Sequence, residues 1–108
     1  MNSLEYLHIY EDTFNSTYTL IKTIDTGDII DGLFATSDGS YVIVGQTSGS
    51  FKIYDRNSNY SLFQSINDSI DRITSISITK DLKMLAVGGY DQKFRIYAFN
   101  GTSFNFKE

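Results

Sequence analysis

Apolar side chains recur at every second position through short stretches of the chain, and turn-forming residues separate these stretches. Leu33 and Ala35 stand two apart, as do Phe51 and Ile53 further along. A period of two is typical of β-strands, because successive side chains of a strand point to opposite faces. Asp, Asn, Ser and Gly between the stretches favour tight turns. No stretch keeps a helical period for more than about two turns, so the pattern predicts an all-β chain.

The strand pattern repeats along the chain at a distance of 43 residues. Residues 31–55 align with residues 74–98 without a gap, and seven of the 25 pairs are identical. LHIYE at residues 7–11 is a third near-copy of FKIYD at residues 51–55. Internal similarity at a period of roughly 20–50 residues indicates a solenoid, a propeller or an array. The identical pairs include Gly45 with Gly88, Phe51 with Phe94, Ile53 with Ile96 and Tyr54 with Tyr97.

Each repeat unit is predicted to hold four short antiparallel strands, which we call a to d in chain order. Four-stranded units with this period are typical of the blades of a β-propeller. The predicted division is a half blade over residues 1–28, a second blade over 29–67 and a third over 68–108. The predicted strands are c and d at 5–10 and 18–24 in the first unit, a to d at 30–36, 41–46, 50–55 and 60–66 in the second, and a to d at 73–79, 83–88, 93–98 and 103–107 in the third.

The segments around strand c resemble the WD-repeat family of β-propellers. The third unit reads DQKFRIYA from Asp91, an apolar–basic–apolar run with Tyr97 in the place of the family's Trp, and the second reads SGSFKIYD. The turn TSDG at residues 36–39 also matches the family's turn between strands a and b. The resemblance implies an incomplete ring of antiparallel, four-stranded, WD-like blades that acts through protein–protein contacts.

The sequence departs from the family pattern at the residues of its usual hydrogen-bond network. The chain has no Trp, and neither Thr26 nor Ser69 is the His expected before strand a. The structural Asp of the b–c turn is present as Asp91 but is Ser48 in the second unit. The family's His–Ser–Trp–Asp network therefore cannot form in this chain.

Two and a half units are fewer than the roughly four to eight blades that propellers usually carry. Strand c of the first unit would lack its neighbouring strand b, and an unpaired edge invites association. We therefore expect the remaining blades to come from the same chain or from another chain.

Composition narrows the class of partner. The chain is 41% hydrophobic with eight Tyr and eight Phe, which supports a packed core. Its net charge is −4 and its Lys and Arg are scattered, which argues against nucleic-acid binding. No apolar run approaches the ~20 residues needed to span a bilayer. We therefore expect no membrane partner. The chain has no cysteine, so we expect a reducing, cytoplasmic location.

No group of residues in the sequence predicts a catalytic or metal-binding site. His8 is the only histidine and alternates away from Leu7 and Ile9, which favours a polar surface role over catalysis or metal binding. No Ser–His–Asp set, phosphate loop or catalytic carboxylate pair emerges. We therefore expect no catalytic, cofactor-binding or metal-binding residue, and a protein that is not an enzyme.

The candidate partner-binding residues lie where the d–a and b–c loops meet at one end of each blade. Asp28 and Asp71 share a repeat position, Arg72 follows Asp71, and Tyr90 shares a repeat position with Thr47. One interpretation is an acidic rim that receives a basic segment of another protein. The alternative is that Asp simply suits turns. An exposed Tyr90 would be an anchor for a partner, or the ring would stack on a neighbouring blade.

Other repeat positions are interpreted as structural. The tyrosines, including Tyr10, are expected to pack between blades with the hydroxyl near a polar partner. The glycines are expected to permit a close backbone approach at the end of strand b. The structural positions are Gly45, Gly88, Phe51, Phe94, Ile53, Ile96, Tyr54, Tyr97 and Asp91.

The function predicted from these observations is a protein–protein interaction scaffold, part of a larger protein or assembly. One alternative is a ligand-binding or enzymatic propeller of another family, with its site in blades outside this sequence. Another is a secreted adhesion or carbohydrate-binding propeller, which glycan on Asn59 or Asn67 would favour.

Overall fold

The computed structural model describes residues 5–12, 17–67, 71–90 and 92–108, which form ten β-strands. A 3₁₀ turn at Arg56–Ser58 links two of them, closed by Asn59 in the left-handed conformation. The strands are β1 (Tyr6–Asp12), β2 (Tyr18–Asp25), β3 (Ile30–Ala35), β4 (Tyr41–Gln46), β5 (Phe51–Asp55), β6 (Ser61–Ile66), β7 (Ile73–Ile78), β8 (Met84–Gly89), β9 (Phe94–Phe99) and β10 (Phe104–Phe106).

The strands form three antiparallel sheets in which neighbours along the chain are neighbours in the sheet. The first sheet is β1–β2, the second is β3–β4–β5–β6 and the third is β7–β8–β9–β10. The predicted all-β class and the antiparallel four-stranded units are confirmed. The division at residues 28/29 and 67/68 stays a prediction, because residues 1–4 and 68–70 lie outside the described part.

The sheets stack because each strand alternates its side chains between two faces. We call the face toward the next sheet in chain order the forward face, and the opposite one the rear face. On the second sheet, Ile43, Phe51 and Ile53 lie on the forward face, and Val44 and Tyr54 lie on the rear face. All five are buried.

The larger core lies between the second and third sheets. The ring of Phe51 meets the ring of Tyr97 edge to face, with centroids 5.2 Å apart. Aromatic pairs in this arrangement contribute beyond the area they bury, by about 0.5–1.5 kcal/mol. The buried members of this core are Ile43, Phe51, Ile53, Ile73, Leu85, Val87, Tyr97 and Phe104.

A smaller core joins the first and second sheets. Leu7 and Ile9 of β1 pack against Val44 and Tyr54 on the rear face of the second sheet. Burial raises the pKa of the Tyr54 hydroxyl, with Asp25 contributing. The two cores show the same rule: the forward face of one sheet packs on the rear face of the next.

Three of the structural repeat positions differ in exposure from their counterparts. Phe94 is 72% exposed and Tyr10 is 57% exposed, whereas Phe51 and Tyr97 are buried. Ile96 is only partly buried. The expected packing of Tyr10 between blades is therefore not seen. The reason is positional, because Phe94 and Ile96 lie on the forward face of the third sheet and Tyr10 on the rear face of the first, beyond which the described residues provide no sheet.

The glycines at the end of strand b also differ. A Cβ on Gly45 would lie 2.5 Å from Cγ2 of Ile73 and 2.9 Å from its carbonyl oxygen. A Cβ on Gly88 would meet nothing closer than Cβ of Ser75 at 3.8 Å. The close approach expected at this repeat position exists only where the next sheet covers the glycine.

Candidate interaction site at the polar end of the sheets

The d–a and b–c connections lie together at one end of the sheets, which we call the polar end. In the second sheet the backbone N–H of Thr47 donates to the carbonyl of Ile29 at 3.0 Å. At the same repeat positions in the third sheet, the N–H of Tyr90 donates to the carbonyl of Arg72 at 3.0 Å. These bonds fix each b–c turn to the segment that precedes strand a.

Asp28 and Asp71 make the same local bond at their shared repeat position. Asp28 Oδ1 accepts from the N–H of Ile29 at 2.8 Å, and Asp71 Oδ1 accepts from the N–H of Arg72 at 2.8 Å. Asp28 Oδ2 also accepts from the N–H of Ser48 at 3.0 Å. Hydrogen bonds from Ser48 hold the pKa of Asp28 below its usual value, although desolvation opposes them. Asp28 thus stabilises its own connection and the b–c turn beside it, a role that Asp commonly has in turns.

Three of the predicted partner-binding residues meet around one carboxylate that the sequence analysis missed. Asp31 Oδ2 accepts from the Thr47 hydroxyl at 2.8 Å and lies 3.6 Å from Nε of Arg72. The guanidinium of Arg72 stands over the ring of Tyr90, 5.5 Å from its centroid. The cluster Asp31–Thr47–Arg72–Tyr90 therefore bridges the second and third sheets.

The cluster is open to solvent on its aromatic side. Tyr90 is 59% exposed and the Arg72 side chain is 46% exposed, whereas the Asp31 side chain is only 19% exposed. The Tyr90 ring pairs with Arg72 and remains largely accessible, which fits the exposed anchor better than stacking on a neighbouring blade. A cation over an exposed aromatic face contributes roughly 0.5–1 kcal/mol, which favours the paired arrangement of Arg72 and Tyr90.

A second network at this end centres on Thr26, the residue in the place of the expected His. Its hydroxyl donates to the carbonyls of Glu5 at 2.6 Å and Asp28 at 3.1 Å, and Thr26 is buried. Its own carbonyl accepts from Nε2 of Gln46 at 3.1 Å and from Nζ of Lys52. The network ties the first sheet to the second.

Sequence signals for the missed residues were weak. Gln46 is the polar residue that ends the apolar run YVIVG, and Lys52 holds the basic position of the repeat. Asp31 stands where the third unit has Thr74, so comparison of the repeat units gave no sign that Asp31 belongs to the cluster. Asp91 lies outside the described residues.

The predicted surface role of His8 agrees with its surroundings. His8 is exposed and its Nδ1 lies 3.2 Å from the hydroxyl of Thr23. Within the described residues, no group of three or more His, Asp or Glu side chains is placed to hold a metal ion. No helix in the described part is long and apolar enough to cross a membrane.

The geometry of stacked four-stranded antiparallel sheets is that of β-propeller blades, and a solved structure supports this fold. The β-propeller domain of Cps50 (Swd1) from Myceliophteria thermophila superposes with a TM-score of 0.63 and 18% sequence identity. The match covers 78% of this chain but only 28% of that chain. No protein-family model matches the sequence, and no curated protein matches it either. The predicted WD-like propeller fold is thus confirmed as a fold.

Proposed function

We propose that this chain is a protein–protein interaction scaffold and that its polar end receives the partner. The observation that carries the proposal is the exposed Tyr90 ring under the guanidinium of Arg72, which also pairs with Asp31 of the second sheet. Tyr and Arg are the residue types that most often dominate binding energy at protein interfaces. Both are mounted on connections fixed by backbone hydrogen bonds, which reduces the entropy lost on binding.

The charge around this pair favours a partner with a basic segment. Asp28 and Asp71 flank the cluster at equivalent positions, and the chain carries a net charge of −4. Complementary charge increases the rate and specificity of association more than the affinity itself. We propose that Tyr90, Arg72 and Thr47 contact the partner. The carboxylates of Asp28 and Asp71 supply the negative charge that attracts its basic segment.

The forward face of the third sheet supports a place in a larger assembly. Phe94 is exposed there, although its counterpart Phe51 is a core residue. An exposed apolar patch of this kind usually marks an interaction site. We propose that further blades, from the same polypeptide or another, cover this face, and that the protein works in the cytoplasm without a catalytic, nucleic-acid or membrane role.

Titration with a basic peptide tests the polar end. A peptide of alternating Arg, Lys and Gly added to the isotopically labelled chain at low salt is expected to shift the amide signals of Tyr90 and Arg72. Raising the ionic strength to about 1 M, where screening acts within ~3 Å, is expected to abolish the shifts. Tyr90→Ala is expected to weaken binding severalfold.

Tyr18 provides the matched control for this experiment. It is 71% exposed, but it lies on β2 in the first sheet. Tyr18→Ala is expected to bind the peptide as the unchanged chain does. Equal losses in both variants, or shifts that avoid Tyr90 and Arg72, would contradict the proposed site.

A further inference from the structure

Strand β1 is exposed along one edge. Among the described residues β1 pairs only with β2, whereas β5 lies between β4 and β6, and β9 lies between β8 and β10. An edge strand presents a row of backbone N–H and C=O groups that another strand can pair with. The first sheet therefore lacks, within the described part, the neighbour that both other sheets place on their strand c.

An apolar groove runs beside this edge. A cleft of about 340 Å³ lies between β1 and the rear face of the second sheet, lined by Ile9, Tyr10, Leu33, Ala35 and Val42 among others. Leu33 is 63% exposed in it. Its repeat counterpart, Ile76, packs against the core between the second and third sheets. Leu33 is thus an aliphatic residue left exposed at a repeat position where its counterpart, Ile76, is covered by the neighbouring sheet.

We propose that β1 binds an extended segment of a partner polypeptide, which pairs with its free edge and covers Leu33. Addition of a strand to a sheet edge derives affinity from main-chain hydrogen bonds and specificity from alternate side chains. The inference deepens the proposed scaffold function, because it names a second surface of that scaffold and the chemistry that fits it.

The repeat supplies the register of the guest strand. In the second sheet Ile43 lies opposite Ile53, and Gly45 lies opposite Phe51. The corresponding residues of β1 are Ile9 and Leu7. The guest is therefore expected to place an aliphatic residue opposite Ile9 and, two residues later, a small one opposite Leu7.

Glycine is the residue expected at that second position. Gly45 has no room for a Cβ because Ile73 approaches it to 2.5 Å. Ile30 of the second sheet is the counterpart of Ile73 and packs at the core beside the groove. A guest following the same path would meet Ile30 as Gly45 meets Ile73, so the guest pattern is aliphatic, any residue, glycine.

A second copy of this chain is a poorer occupant than a separate segment. In this chain the pattern occurs at residues 30–32, 43–45, 86–88 and 87–89. The last three lie in the middle strands β4 and β8, and residues 30–32 lie in β3, where the backbone of Thr74 in the third sheet closely approaches Gly32. Donating any of them would disrupt these contacts, so the guest is a strand-forming segment of different origin.

A synthetic peptide with the sequence of residues 41–46, flanked by lysines to limit self-association, tests the proposal. Titrated into the isotopically labelled full chain, YVIVGQ is expected to shift the amides of β1 and of Leu33 and to protect the free β1 amides from hydrogen exchange. Replacing the peptide glycine by valine is expected to weaken binding about tenfold or more, because the added side chain would overlap Ile30.

Leu33→Asp gives the matching change in the protein. Leu33 is exposed, so the variant is expected to remain folded but to bind the peptide at least about tenfold more weakly, since the guest would bury an unpaired carboxylate. The control is Leu62→Asp, because Leu62 is 52% exposed on β6 and does not line the groove. It is expected to bind normally.

Three outcomes would overturn the inference: no change at β1, equal binding of the glycine and valine peptides, or equal loss in both Leu variants. Concentration-dependent association of the chain alone, relieved by Leu33→Asp, would instead identify a second copy as the occupant. Failure here leaves binding of the basic peptide at Tyr90 unaffected, so this inference and the proposed function can fail separately.

Discussion

The forward faces of the second and third sheets carry the same residues in opposite surroundings. Phe51 is 1% exposed and Phe94 is 72% exposed, although both begin strand c of their units. Gly45 touches Ile73 while Gly88 has open space. The residues that recur at equivalent positions therefore form the interface between two sheets. Whether a given copy is buried depends only on whether a sheet follows it.

The strongest test of this comparison replaces the two phenylalanines. Phe51→Ala is expected to lower the free energy of unfolding by about 3–5 kcal/mol, because it removes a buried ring and leaves a cavity. Phe94→Ala is expected to change it by about 0.5 kcal/mol or less, as an exposed position does. Urea unfolding followed by tyrosine fluorescence measures both. Similar losses would mean that Phe94 is covered in solution.

A second test adds one methyl group at the paired glycines. Gly45→Ala is expected to destabilise the chain by about 1–3 kcal/mol, since its Cβ would overlap Cγ2 and the carbonyl oxygen of Ile73. Gly88→Ala is expected to be neutral or stabilising by about 0.5–1 kcal/mol, because Gly lowers the stability of a strand interior. Thermal unfolding of both variants measures the two changes in stability. A loss of stability in Gly88→Ala would mean that a neighbour packs against the forward face of the third sheet.

The outer strands offer a third, smaller test. The Gln64 side chain donates from Nε2 to the carbonyl of Phe104 at 2.7 Å and accepts from its N–H at 2.8 Å. Gln64 thus joins β6 to β10 of the next sheet, while its repeat counterpart, Lys107, is exposed. Gln64→Ala is expected to cost about 1–2 kcal/mol through two lost hydrogen bonds.

Lys107→Ala is the control for Gln64→Ala and is expected to change the free energy of unfolding by less than about 0.5 kcal/mol. Hydrogen exchange of the Phe104 amide offers an independent measurement. That amide is expected to exchange faster in Gln64→Ala and at the original rate in Lys107→Ala. Unchanged protection in Gln64→Ala would show that the two sheets are held together by packing alone.

The strands themselves were predictable because their signals are local. Alternation and turn residues predicted β4 at 41–46, and it spans Tyr41–Gln46. The 43-residue repeat predicted strand c of the third unit at 93–98, and β9 spans Phe94–Phe99. Backbone preference and side-chain alternation act within a few residues, so a sequence carries them directly.

Contacts between units were not predictable in the same way. The bond between Gln64 and Phe104 joins residues 40 apart, and neither repeat position suggests it. Asp31 became part of the polar-end cluster because Arg72 of the next sheet reaches it. Such contacts depend on how two sheets stack, and the exposure of Phe94 depends on whether a sheet follows at all. A sequence repeat predicts the structure that the units share, but it does not predict the contacts that only one unit makes.

The smallest expected difference between the two sheets lies at their a–b turns. Asp38 Oδ1 accepts from the hydroxyls of Ser40 and Thr36 and from the N–H of Ser40. These bonds, the Ser40 hydroxyl foremost, lower the pKa of Asp38 to about 2. Asp81, its counterpart, accepts from the Thr79 hydroxyl and the N–H of Lys83, and these bonds also lower its pKa.

In a carboxyl NMR titration, Asp38 is therefore expected to protonate at a lower pH than Asp81. Because its folded pKa lies below the ordinary value of 3.8, the contribution of Asp38 to stability is complete well above pH 4 and is lost as the pH falls toward about 2. Ser40→Ala, at the position of Lys83, removes the extra hydroxyl and is expected to raise the pKa of Asp38 toward that of Asp81. Should Asp38 titrate at or above Asp81 in the unchanged chain, the two turns do not differ in the way their hydrogen bonds imply.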